Sequence, residues 1–83
     1  MNLRVKYFAS IREAVGQGSE TLQTGAATLA ALRDELIARG EPYASALAHG
    51  RAVRMALDQV MSDEQAALRE GCEVAFFPPV TGG

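Results

Sequence analysis

The sequence predicts an α+β domain in which one main helix crosses a mixed sheet of four to five strands, with a short helix after the first strand and a flexible C-terminal tail. Three stretches carry that reading. Residues 3–8 alternate along a strand, residues 28–39 repeat leucine at helical spacing, and residues 73–77 form an apolar run closed by two prolines. A chain of 83 residues supports one domain, expected over residues 1–77 with residues 78–83 as the tail.

Taken in order, Leu3, Val5 and Tyr7 share one face of the first strand and Arg4, Lys6 and Phe8 the other. Ser10 stands three residues before Glu13, the spacing of a capping box, so one or two helical turns are expected before Gly16 and Gly18. Residues 19–24, centred on Leu22, fit a second strand paired with the first. Thr28 is the expected N-cap of the main helix, whose Leu29, Leu32, Leu36 and Ile37 face inward and which stops at Gly40. Pro42 opens a compact connection through Tyr43 and Leu47 to His49. Val53, Met55 and Leu57 then alternate along a third strand, Val60 and Met61 make a brief fourth, and Glu73 to Phe77 is the last. Pro78 and Pro79 end it because they donate no ladder hydrogen bonds.

This order of elements is that of the β-grasp fold. The first and last strands then lie side by side and parallel in mid-sheet. Val5 and Val74 point inward under Leu32 and Leu36, and Phe8 and Phe77 point outward together.

Composition narrows the function. With 48% hydrophobic and 22% charged residues the chain should fold, and a net charge of −2 without a basic block argues against nucleic acid as a partner. Arg4, Lys6, Arg12 and Glu13 interrupt the first twenty residues, so no secretory signal and no membrane span are expected and the location is read as cytoplasmic. One cysteine and one histidine make neither an internal disulfide nor a zinc site, so no metal is expected.

The chemistry is sought in the tail, Pro78-Pro79-Val80-Thr81-Gly82-Gly83, which carries no ionisable side chain. What remains is the terminal carboxylate of Gly83, ionised at neutral pH and able to attack the α-phosphorus of ATP held by a partner without a general base. Glycines at the last two positions let the backbone enter a narrow channel, and the prolines stiffen its base. At an average glycine usage near 7%, a random chain ends in Gly-Gly about once in two hundred times, so chance fraying is a poor account of this ending.

The run Phe76-Phe77-Pro78-Pro79-Val80-Thr81-Gly82-Gly83, with Val5-Lys6-Tyr7-Phe8-Ala9 and Ile11-Arg12-Glu13-Ala14-Val15-Gly16, resembles the small, sulfur-carrying subunit of molybdopterin synthase, a β-grasp relative of ubiquitin. The resemblance implies a non-catalytic carrier that binds no cofactor itself. An adenylating enzyme related to ubiquitin activators would use ATP to convert the Gly83 carboxylate to an acyl-adenylate, and a sulfur donor protein would turn that into a thiocarboxylate. The large catalytic subunit of the synthase would then receive the tail, and sulfur would pass to cyclic pyranopterin monophosphate. It further implies docking through Phe8, Met61 and Phe77, although Met61 fits a covered sheet-end cluster equally well. The chain departs from the family pattern at Leu57-Asp58 and Cys72. Three alternatives stay open: a carrier for thiamine or another sulfur pathway, a modifier joined to lysines through Gly83, and an interaction module with an idle tail.

Among other reactive side chains, Cys72 lies between Glu70 and Glu73, an acidic setting that disfavours a thiolate, and is read as a packing residue. His49 is read as solvent-exposed with no carboxylate at catalytic spacing. The acidic run Asp58, Asp63, Glu64, Glu70 and Glu73 is read as a solvated face that could steer a basic partner.

Overall fold

The structure is a computed structural model and describes residues 1–79. Along the chain run β1 (Asn2–Tyr7), α1 (Ala9–Val15), β2 (Ser19–Gln23), α2 (Leu29–Ile37), α3 (Tyr43–Ala46), β3 (Arg54–Leu57), β4 (Val60–Ser62) and β5 (Glu73–Phe77). The five strands form one sheet in the order β2-β1-β5-β3-β4. β1 pairs antiparallel with β2 and parallel with β5, with Val5 opposite Val74, and β3 runs antiparallel to both β5 and β4.

α2 lies across this sheet because its leucines recur on one side. Leu29, Leu32 and Leu36 are fully buried and meet Val5, Tyr7, Val74 and Phe76 in one core. The Thr28 hydroxyl accepts the Ala31 N–H at 3.2 Å, as the N-cap pattern requires. The segment after β4 closes the other flank of the helix. The N–H groups of Leu29 and Ala30 donate to the carbonyls of Ala66 and Glu64, and buried Leu68 donates to Ala27.

Three local features differ from the sequence expectation. The Ser10–Glu13 capping box does not form. Helix α1 starts at Ala9, so Ser10 lies inside it, and Phe8 takes the cap position without a side-chain bond. The cause is the sheet ladder: Phe8 N–H still donates to Phe76 O at 3.1 Å while its carbonyl accepts from Ile11 and Arg12, so strand and helix abut with no spacer. The connection after Pro42 contains a short helix, α3, whose Ala46 N–H donates to Pro42 O. The first strand ends at Tyr7, one residue earlier than expected.

Two turns explain residue choices. Gly16 closes α1 at φ 87°, a left-handed conformation open to glycine at no steric cost. Asp58 and Gln59 join β3 to β4 with φ 49° and 69°, the twist of a two-residue hairpin turn. The Asp58 carboxylate accepts the Glu73 N–H at 2.9 Å and an Arg69 N–H at 3.0 Å, which ties this turn to the start of β5. Cys72, the residue before Glu73, is 4% exposed and belongs to the core. The departures from the family pattern at Leu57-Asp58 and Cys72 therefore fall on a turn and a packing site at the end of the sheet remote from the tail.

Candidate functional site

Strand alternation divides the sheet into two faces. Paired residues share a face, so Phe77 with Arg54, Ala75 with Ala56 and Lys6, and Met61 with Ala56 all lie on the side away from α2. On that side the rings of Phe8 and Phe77 meet edge to face, centroids 6.4 Å apart at 84°. Phe8 is 45% exposed, although it is among the largest apolar side chains of the molecule. Met61, 55% exposed, sits two strands away on edge strand β4. At the usual strand spacing that is about 10 Å from β5. Between them Ala56 and Ala75 form a low floor, so the aromatic pair and Met61 rim a shallow apolar surface.

The tail leaves this surface directly: Phe77 is the last residue of β5, and Pro78 and Pro79 follow it, each partly exposed. Val80, Thr81, Gly82 and Gly83, on which the chemical expectation rests, lie outside the described residues. On the helix side of Pro78 opens a cleft of about 260 Å³ whose walls include Ile11, Ala14, Ala46, Arg51 and Val53.

Behind the aromatic pair lies a polar hub that the sequence did not disclose. Tyr7, stacked on Phe76 at 6.2 Å, donates its hydroxyl to Glu20 at 2.8 Å, and Tyr43 and Arg39 reach the same carboxylate at 3.0 Å each. Burial works to raise the Glu20 carboxyl, but the hydrogen bonds from Arg39, Tyr7 and Tyr43 outweigh it and hold the group below its ordinary 4.5. Burial and then the Glu20 carboxylate push the Tyr7 phenol far above the usual tyrosine range, so it stays a donor. At the far end of the sheet the Glu73 N–H, helped by Arg69, holds Asp58 below its ordinary value.

Arg33 was also missed. It is 3% exposed, and its guanidinium donates to the carbonyls of Leu47, Ala48 and Arg51 at 2.7, 2.8 and 3.3 Å and pairs with Glu64 at 3.2 Å. The available signal was spacing: position 33 follows Leu29 by four residues and so falls on the buried stripe. His49 is exposed as expected, but α2 brings Asp34 against it, a carboxylate that sequence distance had hidden. Both side chains are more than half exposed, so the contact is a surface pair. Among the described residues no three His, Cys, Asp or Glu side chains are grouped to hold a metal ion, and no helix is long and apolar enough to cross a membrane.

A five-stranded mixed sheet with a parallel central pair, crossed by one helix, defines a β-grasp domain. More narrowly, the chain belongs to the ThiS family, whose pattern matches residues 5–83 and so takes in the diglycine ending. It is 40% identical to the molybdopterin synthase sulfur carrier subunit of Haemophilus influenzae and 38% identical to that of Escherichia coli, each over 98% of this chain and 99% of the relative. The fold is shared with a solved protein–protein complex of subunits 1 and 2 of the molybdopterin-converting factor from Helicobacter pylori, at TM-score 0.68 and 23% identity over the full length of both chains.

Proposed function

We propose that this chain is the sulfur carrier of a molybdopterin synthase and that Gly83 carries the sulfur. The Gly83 carboxylate attacks the α-phosphorus of ATP on an adenylating enzyme, and pyrophosphate leaves. A persulfide sulfur from a donor protein then attacks the acyl carbon, AMP leaves, and reduction of the resulting acyl disulfide by a thiol frees the thiocarboxylate. The large synthase subunit takes in Pro78 to Gly83, and the thiocarboxylate sulfur attacks cyclic pyranopterin monophosphate on the way to the dithiolene. Pockets, ATP and catalytic groups belong to the partners, and the cycle runs in the cytoplasm.

One observation supports this most directly: an exposed aromatic pair, Phe8 and Phe77, sits at the root of the Pro-Pro-Val-Thr-Gly-Gly ending, in a chain 40% identical to a sulfur carrier subunit. Aromatic side chains beside a thin probe give a docking centre and a reach of roughly 20 Å in extended chain from Phe77 to Gly83. Intact-mass measurement after incubation with the adenylating enzyme, ATP and a persulfide donor tests it. The expected product has one terminal oxygen replaced by sulfur, and a chain lengthened by one residue after Gly83 should give none. An unchanged mass for the native ending would refute the proposal, and lysine conjugates in extract that vanish on deleting Gly83 would move the chain to the modifier class.

A further inference from the structure

The cleft beside Pro78 takes no part in docking through the outer face, and its walls specify what fills it. Ile11 and Ala46 belong to the core and Val53 packs against it, so the floor is apolar and continuous with the interior. At about 260 Å³ it is smaller than the roughly 300–1,000 Å³ of small-molecule sites, which leaves room for a side chain or two and not for a cofactor. Charge does not choose the occupant. Arg51 lines the cleft with its Nε on Ser45 O, but Ser45 also holds Glu41, and Arg33 joins the Arg51 carbonyl to Glu64. The surroundings are mixed in sign, and an apolar group suits the floor better than an ion. The sequence supplies such a group two residues beyond the wall. Pro78 itself lines the cleft, the described chain ends at Pro79, and Val80 follows as the one large apolar side chain among the last four residues. At about 3.3–3.6 Å per residue, Val80 is about 7 Å of chain from Pro78. The period-two alternation that turns Phe77 outward and Pro78 toward the cleft returns Val80 to the Pro78 side.

We propose that Val80 seats in the cleft of its own chain, over Ile11, Ala46 and Val53, and that the tail parked in this way competes with its insertion into a partner. With Val80 held, only Thr81, Gly82 and Gly83 remain free, about 10 Å of reach in place of roughly 20 Å. Parking goes beyond the carrier reading and needs no sulfur chemistry, whereas its competition with insertion rests on that reading. Burying one valine gains about as much as ordering one or two residues costs, and the prolines have already removed part of that cost. The parked and extended states are therefore of comparable population, and neither is locked. The extended fraction then scales the apparent affinity for any partner that takes the whole tail.

The test is methyl NMR on the full chain. Nuclear Overhauser contacts are expected from the Val80 methyls to those of Ile11, Ala46 and Val53. Random-coil shifts for Val80 with no such contacts would overturn parking. So would contacts seen only between labelled and unlabelled chains in a mixed sample, which would give the cleft to the tail of a second copy. Ala14→Phe and, separately, Ala52→Leu fill the cleft from exposed positions, so both variants should keep native circular dichroism and lose the Val80 contacts. Each should then bind the large synthase subunit of the same organism about twofold more tightly in a calorimetric titration, as the extended fraction rises from about half to one. Lost contacts with unchanged or weaker affinity in both variants would overturn the competition. If the native chain itself does not bind the large subunit, the carrier reading falls, while the Val80 contacts still decide whether the tail parks.

Discussion

The two faces of one sheet are built from the same strands and do opposite work. Toward α2, Val5, Tyr7, Val74 and Phe76 are at most 1% exposed and close the core. Away from it, the next residues along the same strands, Phe8 and Phe77, stand partly in water and pair only with each other. The outer face mixes Phe8, Phe77 and Met61 with Arg4, Lys6 and Arg54, yet its aromatic part is as apolar as the core side, so side-chain hydrophobicity alone does not separate the two. What separates them is whether this chain supplies a covering layer. One main helix supplies one such layer, and the uncovered apolar surface is the part that the proposed docking would use.

The sharpest way to break this comparison uses neighbours in sequence. Phe76→Ala removes a fully buried ring stacked on Tyr7 and should cost about 3–5 kcal/mol, a large share of what a domain this size has. Phe77→Ala, one residue on, should cost about 1 kcal/mol or less while weakening large-subunit binding at least tenfold. Urea unfolding and a binding titration on the two variants decide it. Equal stability losses would mean that the outer face is structural after all.

Next in size is Arg33→Ala. It strips the donor from three backbone carbonyls in the segment 47–51 and leaves Glu64 unpaired, so about 3 kcal/mol should be lost. Arg69→Ala, which breaks an exposed pair with Asp58, should move the urea midpoint far less in the same assay, because water and salt screen an exposed pair. A similar cost for both would show that burial does not set the worth of these arginines.

How much of this was visible beforehand follows from the range of each interaction. The alternation of Leu3, Val5 and Tyr7, the Thr28 cap and the Phe77-Pro78 stop are local signals, and the structure carries each of them. The outward pairing of Phe8 with Phe77 joins residues 69 positions apart, yet it was legible because two alternation patterns and a parallel register suffice to place it. Arg33 and Glu20 were opaque for the converse reason. In these bonds their partners lie 13 to 31 residues away, brought together by connections whose course no periodicity records. The Ser10–Glu13 capping box misled because the ladder bond from Phe8 to Phe76, a tertiary fact, set where α1 begins.

The smallest expected effect concerns pH and tests the hub behind the aromatic pair. Glu20 accepts from Tyr7, Tyr43, Gln17 and Arg39, and its carboxyl titrates below its ordinary 4.5 in the folded chain. A depressed folded value means the native state holds the charged form more strongly than the unfolded chain does. Its stabilising share is therefore complete above about pH 4.5 and is lost as pH falls through the lower folded value. Glu20→Gln keeps an acceptor for the tyrosines but cannot ionise or pair with Arg39. The difference in urea midpoint between wild type and this variant should stay constant from pH 7 to 5 and shrink below about pH 4.5. Asp58 and Glu41 also titrate low, but they are present in both proteins and cancel in the difference. A gap that persists unchanged to pH 3 would mean that shape, and not charge, is what Glu20 contributes to the hub, and that the inner face is held by packing alone.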